Sequence, residues 1–224
     1  MAGRRRWTTE EILETATELL STSEDAESFS VRKLAAALGT DSSSLYRHFR
    51  DKTELLRAVA DRILLAAMDG YQPEGDWRQR ITAVALRLRA AFGSQPQLAA
   101  VWGRYASSGT GSRLLMEEVL QALRMSGLPD EEIPARYHRM AILVASLIAS
   151  EAGMSTLTSE EFDRGMELFR VAVLGADPER FPALAHFARD VRPLGVDRQA
   201  AFEEIIAAHL DSVAAAIPQP LSAE

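Results

Sequence analysis

From Leu38 to Lys52 the chain reads LGTDSSSLYRHFRDK, and its polar side chains are of the kinds that hold phosphates and read base edges. The hydroxyls of Ser42, Ser43 and Ser44 fit close against phosphates or bases, while Tyr46 and His48 reach farther with a polar tip. Lys52 is a compact charge suited to a phosphate, and Arg32, just upstream, carries the fork that pairs bidentately with guanine. Leu45 and Phe49 are four apart and so share one side of a helix. Ser42, Ser43, Tyr46 and His48 then spread over the other side, with Arg47 and Arg50 near its edges. A helix is slim enough for the major groove of duplex DNA, and its N-terminal N–H groups favour anions. The Arg4 to Arg6 arm adds attraction that is independent of base sequence.

Other chemistry is poorly supplied. Cysteine is absent, which removes thiolate nucleophiles, thiolate metal sites and disulfides. The four histidines, His48, His138, His186 and His209, are too far apart for a familiar ligand motif. There is no H-E-x-x-H, no G-x-S-x-G and no phosphate-binding glycine loop. The adjacent pairs Glu10/Glu11, Glu117/Glu118 and Glu203/Glu204 cannot face one another on a helix and read as solvated surface. The expectation is a protein with no catalytic residues, metal or cofactor, and not an enzyme.

A formal net charge of −7 argues at first against a nucleic-acid partner, but the charge is unevenly distributed. Residues 1–62 carry a balance of only −1, against −6 on the remainder, and hold both lysines of the chain, Lys33 and Lys52. The opening MAGRRRWTTEE lacks the apolar stretch of a secretory signal, and the run MAILVASLIAS is shorter than a bilayer span. A cytoplasmic protein with no membrane partner is expected.

Helices must position these residues. Thr8 and Glu11 have capping-box spacing, and Ile12, Leu13, Ala16, Leu19 and Leu20 recur at helical intervals. A second short helix follows, with Ser30 as cap, Leu34, Ala35 and Leu38 as inner stripe, and Gly39 in the left-handed stop position. A third follows almost at once with Thr40 or Asp41 as cap and Leu45 and Phe49 on its inner side, and a fourth carries Leu55, Leu56, Val59, Ile63 and Leu64. Two short helices joined by a glycine-containing turn form a helix-turn-helix, in which Ala35 leaves room at the crossing. DGYQPEGD then reads as a hinge, and everything beyond it remains helical with no convincing strand or repeat. Among those later helices, one starts at Ser112 and one has Pro178 near its start.

FSVRKLAAALGTDSSSLYRHFRDKTELLRAV resembles the N-terminal DNA-binding segment of the TetR family of bacterial transcriptional regulators: LA then LG, LYxHF, then K and LL at matching intervals. The C-terminal part is similar to tetracycline-repressor-like ligand domains through DPERFPALAHF and AFEEIIAAHLDSVAAAI. The resemblance implies an all-α fold: an N-terminal three-helix DNA-binding domain with the helix-turn-helix, followed by a larger helical ligand-binding and dimerisation domain. Residues 1–52 would form the DNA-binding domain, 53–70 a connecting helix, 71–217 the effector-binding and dimerisation domain, and 218–224 a tail. The family's usual DNA-contacting positions match Ser42, Ser43, Ser44, Tyr46, His48 and Lys52, with Arg32 contributing from the preceding helix. A frequent family pattern has a bulkier or amide-bearing residue and a proline where this chain has Ser42 and Ser43.

The implied function is a ligand-responsive transcriptional regulator, a repressor released from a palindromic operator in double-stranded DNA by a small-molecule effector. Candidates for lining the effector site are Trp102, Tyr105, Met116, Tyr137 and His138, since pockets are mostly apolar with a few polar groups. A methionine or aromatic at helical spacing is more often core packing. Glu151 is either an anchor for a cationic guest or a solvated charge. The apolar faces of MAILVASLIAS and of the last helix predict a two-fold four-helix interface in a homodimer; a buried internal core has the same pattern. The competing readings are a helical small-molecule binding protein, or an enzyme, without DNA binding.

Overall fold

A computed structural model describes residues 6–22, 29–99, 102, 108–193 and 196–218, and among these every regular element is a helix. The first is α1 (Thr9–Ser21), closed at its start by the expected capping box, in which the Thr8 side chain accepts from the Glu11 amide and Glu11 reaches back. Its inner stripe of Ile12, Leu13, Ala16 and Leu20 is buried. Ser30 caps α2 (Val31–Ala37), and Gly39 at φ +62° turns the chain toward the next helix.

The second half of the motif, α3 (Ser42–Leu45), is shorter than the sequence suggests, with Tyr46 to His48 in turn geometry. Helical bonds nevertheless run on: Tyr46 N donates to the Ser42 carbonyl at 3.1 Å and Phe49 N to the Leu45 carbonyl at 3.1 Å. His48 N also bonds the Leu45 carbonyl at 2.9 Å, which tightens the last turn. Leu45 and Phe49 are buried, and each contributes on the order of 2 kcal/mol by leaving water.

From α3 the chain enters α4 (Lys52–Met68), capped by Asp51, which packs on α1. Beyond it come α5 (Trp77–Gly93), α6 (Pro96–Ala99), α7 (Thr110–Met125) and α8 (Ile133–Ser155). The remaining helices are α9 (Ser159–Leu174), α10 (Pro182–Phe187) and α11 (Arg198–Ala214). α4, α5 and α7 pack on one another, α8 closes against α5, α6 and α7, and α11 lies on α8 and α5. One hydrophobic core runs from Ile12 in α1 to Val213 in α11.

Some expectations change. The helix over DPERFPALAHF begins at Pro182, because a proline disfavours helical geometry in the residue before it; Phe181 sits at φ −130°, ψ 60°. The expected hinge, residues 69–76, is tied to α7 at Tyr71, and Arg87 bonds the chain just before it. The Tyr71 hydroxyl donates to Glu118 Oε1 at 2.9 Å, and Arg87 Nε holds the Ala67 carbonyl at 2.6 Å, near the end of α4. α8 and α11 each bury one stripe, Met140, Val144, Ile148 and Ala152 on one and Phe202, Ile206, Leu210 and Val213 on the other. Part of their apolar surface is therefore internal core, while Ile142 and Ile205 remain exposed on other faces. Among the described residues no single helix is long and apolar enough to cross a membrane.

Candidate nucleic-acid interface and cavity

The outer side of the motif is assembled from the expected residues. Arg32, Ser43, Tyr46, Arg47 and His48 are exposed, and Ser42 and Ser44 are half-buried. Tyr46 is 52% exposed, although a tyrosine with an apolar alternative would cover its ring. His48 Nδ1 lies 3.1 Å from Thr9 Oγ1 on α1, so the ring is oriented by a residue the sequence reading did not single out. Arg6, Trp7, Ser44, Arg47 and His48 border one cleft beside α3, joining the end of the N-terminal arm to the recognition surface. Arg4 and Arg5 lie outside the described residues.

Three candidates carry a structural duty as well. Asp41 Oδ1 accepts from Ser44 N at 2.9 Å as the cap of α3, and the Ser43 hydroxyl donates to the same oxygen. The Ser44 hydroxyl lies 3.3 Å from it. Two of the three serine hydroxyls thus support the cap in the DNA-free protein, leaving Ser42 outside that group. Lys52 is half-buried: its ammonium donates to the Phe29 carbonyl at 2.5 Å and lies 5.7 Å from the Phe29 ring centroid. The spacing LYxHF-to-Lys52 gave no sign of this bond, because Phe29 is 23 residues away.

Behind the head lies a cavity of about 540 Å³ among α4, α5, α7 and α8. Of the candidate lining residues, Trp102, Met116, Tyr137 and His138 face it, while Tyr105 lies outside the described residues. Leu64 of α4 forms part of the same wall, so one helix touches both the cavity and, at Lys52, the DNA-reading head. Trp102 is held by stacking on Phe92, with centroids 4.4 Å apart and planes at 28°. Burial pushes the Tyr137 phenol above its ordinary value of 10.0, so it stays a neutral donor.

The wall helix α7 is tied to α4 by a contact that sequence reading missed. Asp61 Oδ1 accepts from Ser112 N at 2.8 Å and Oδ2 from Gly111 N at 3.2 Å, capping α7 from another helix. This moves the start of α7 from the expected Ser112 to Thr110. Gly111 permits the approach, since a Cβ there would lie 2.4 Å from both the Asp61 carbonyl oxygen and the Leu65 nitrogen. The glycines at 109 and 111, around the start of a helix, were the available signal.

Glu118 is a second correction. It is buried, not solvated: Arg80 Nε and Nη2 each donate to its carboxylate at 2.7 Å, and Tyr71 adds a third bond. Burial, then the Glu118 hydrogen bond, pushes the Tyr71 phenol up to about 12. Glu151 is likewise engaged, 2.8 Å from Arg89.

A three-helix head with an exposed polar recognition surface, joined through one helix to a cavity-bearing helical body, is the architecture of a helix-turn-helix transcriptional regulator. Residues 12–59 match the model of bacterial regulatory proteins of the tetR family, and residues 70–217 that of the tetracyclin repressor-like C-terminal domain. The chain belongs to the TetR family. It is 30% identical over 190 residues to the HTH-type transcriptional repressor DrrR1 of Streptomyces coeruleorubidus, covering 82% of this chain and 69% of that protein. A structural-genomics crystal structure from Streptomyces coelicolor A3(2) is 71% identical, with TM-score 0.81, covering 96% of this chain and 100% of that one. The Streptomyces coelicolor TetR family protein ActR, solved with actinorhodin, shares the fold at TM-score 0.84 and 24% identity, covering 96% and 100%.

Proposed function

We propose that this protein is a repressor that binds a palindromic operator as a homodimer and leaves it when a small molecule occupies the cavity. It works in the cytoplasm and supplies no catalysis. Residues 1–52 read DNA, 53–70 transmit, 71–217 bind the effector and dimerise, and 218–224 form a tail. Arg32, Ser42, Tyr46 and His48 make the base and phosphate contacts, with Ser43 and Ser44 positioning α3. Lys52 meets phosphate only with donors not spent on Phe29. The observation that carries this reading is the continuity of α4, which starts at Lys52 beside α3 and places Leu64 in the cavity wall.

A guest that prefers one placement of the cavity walls over another shifts α4 and hence the spacing of the two heads. Only a difference in affinity between the placements does this, and about 5.5 kcal/mol of difference takes the population from 1:99 to 99:1. The outer faces of α8 and α11, the latter with Ile205 exposed, form the two-fold interface. Selection of bound duplexes from a random pool by the full-length protein tests the reading. It should enrich a two-fold symmetric site, and Tyr46→Ala and Arg32→Ala should weaken that site by about 1–3 kcal/mol each. Enrichment of no site, or equal binding by both variants, counts against it.

A further inference from the structure

The charges around the cavity are consumed by the protein itself. Among the described residues that line it, no side chain is a carboxylate, guanidinium or ammonium group. Three ionic groups on the surrounding helices have internal partners: Glu118 holds Arg80, Asp61 caps α7, and Glu151 holds Arg89. The lining residues with polar side chains are Ser112, Ser146 and Tyr137, which carry hydroxyls, and His138. The rest is aliphatic or aromatic, with Trp102 and Tyr137 supplying ring faces.

We infer that the effector is an uncharged, mainly aromatic molecule that fits within about 540 Å³ and carries its hydrogen-bonding groups toward α8. This rests on the reading of the cavity as the effector site. Among the described lining residues a charged guest would lose its hydration and meet no carboxylate, guanidinium or ammonium group, and burying an unpaired ion costs far more than a hydroxyl–hydroxyl contact returns. A neutral ring system loses little on leaving water and gains contact with Trp102, Met116 and the aliphatic walls. Its polar substituents meet Tyr137 and Ser146, and the raised Tyr137 phenol remains a donor at neutral pH. The guest class is thus set by what the walls lack as much as by what they hold.

Fluorescence titration of the full-length protein with pyrenemethanol, pyrenecarboxylate and pyrenemethylammonium tests this, because the three probes share one ring system and differ in charge. The neutral probe should bind at least about tenfold tighter than either ion. Ala145→Trp on α8 and, on the opposite wall, the more exposed Met116→Trp should each abolish its binding. Ala145→Glu should shift the preference toward the ammonium probe by about tenfold or more. A charged probe that binds the wild type as tightly as the neutral one, and is lost in both tryptophan variants, overturns the guest class and leaves the cavity as the effector site. No binding by any probe, or binding untouched by both tryptophan variants, overturns the cavity reading and the inference with it.

Discussion

Replacing Glu118 with glutamine separates a buried charge from its partner in the clamp that joins α5, α7 and residues 69–76. In the native protein the Arg80 and Glu118 side chains are 11% and 10% exposed, and two Arg80 donors meet the carboxylate at 2.7 Å. Tyr71 supplies the third bond at 2.9 Å. Glutamine keeps the shape but presents one acceptor oxygen, so at least one bond to a charged donor is lost and the guanidinium is left without its counter-charge. Losing one partner of a buried ion pair costs about 3–5 kcal/mol. For a chain of this size each kcal/mol lowers Tm by about 2–4 °C, so Glu118→Gln should lower it by roughly 6–20 °C. Thermal and urea unfolding at one fixed protein concentration measure this, since dimerisation makes Tm concentration-dependent. The double variant Arg80→Met/Glu118→Leu buries no charge and should recover at least about half of the loss. A single-variant cost under about 1 kcal/mol, or a double variant no better than the sum of the singles, would refute the reasoning.

Gly111→Ala should destabilise the protein by about 1–3 kcal/mol, because its Cβ meets backbone of α4 at 2.4 Å and either α7 or α4 must shift. Urea unfolding checks it, and an unchanged midpoint contradicts the close approach. His209 responds to acid: burial, then the charges of Arg136 and Arg139, holds its folded pKa below the ordinary 6.5. Its contribution to stability is therefore fully present above pH 6.5 and declines as pH falls through the lowered folded value. His209→Leu should flatten the fall in Tm between about pH 7 and pH 5; a slope equal to wild type contradicts the assignment.

Much of the head was legible in the sequence because its determinants are local. Thr8 with Glu11, Ser30 before α2, and Gly39 at φ +62° are signals spanning a few residues, and each performs its expected task. Leu45 and Phe49 point inward for the same reason, which turns Tyr46 outward. What was not legible rests on long-range contacts. Glu118 beside Glu117 looked like solvated surface, and only the fold brings Arg80 to it. The Phe29 carbonyl bonded to the Lys52 ammonium was hidden for the same reason, since only the fold brings the two together. In the serine triplet Asp41 sits within reach of two of the hydroxyls, so cap chemistry draws on groups also expected to meet DNA. Four of the five cavity candidates line the space because aromatic and thioether side chains interrupt otherwise aliphatic helices.

The central claim is that two copies of the exposed α3 surface enter successive major grooves together. Fluorescence anisotropy on the selected operator, with the two half-sites moved apart by about half a helical turn (about 5 bp), measures it directly. Binding should fall by at least about tenfold with the half-turn insertion, since the second head then faces the wrong side of the duplex. Equal affinity for the native and the half-turn operator would contradict paired recognition by α3.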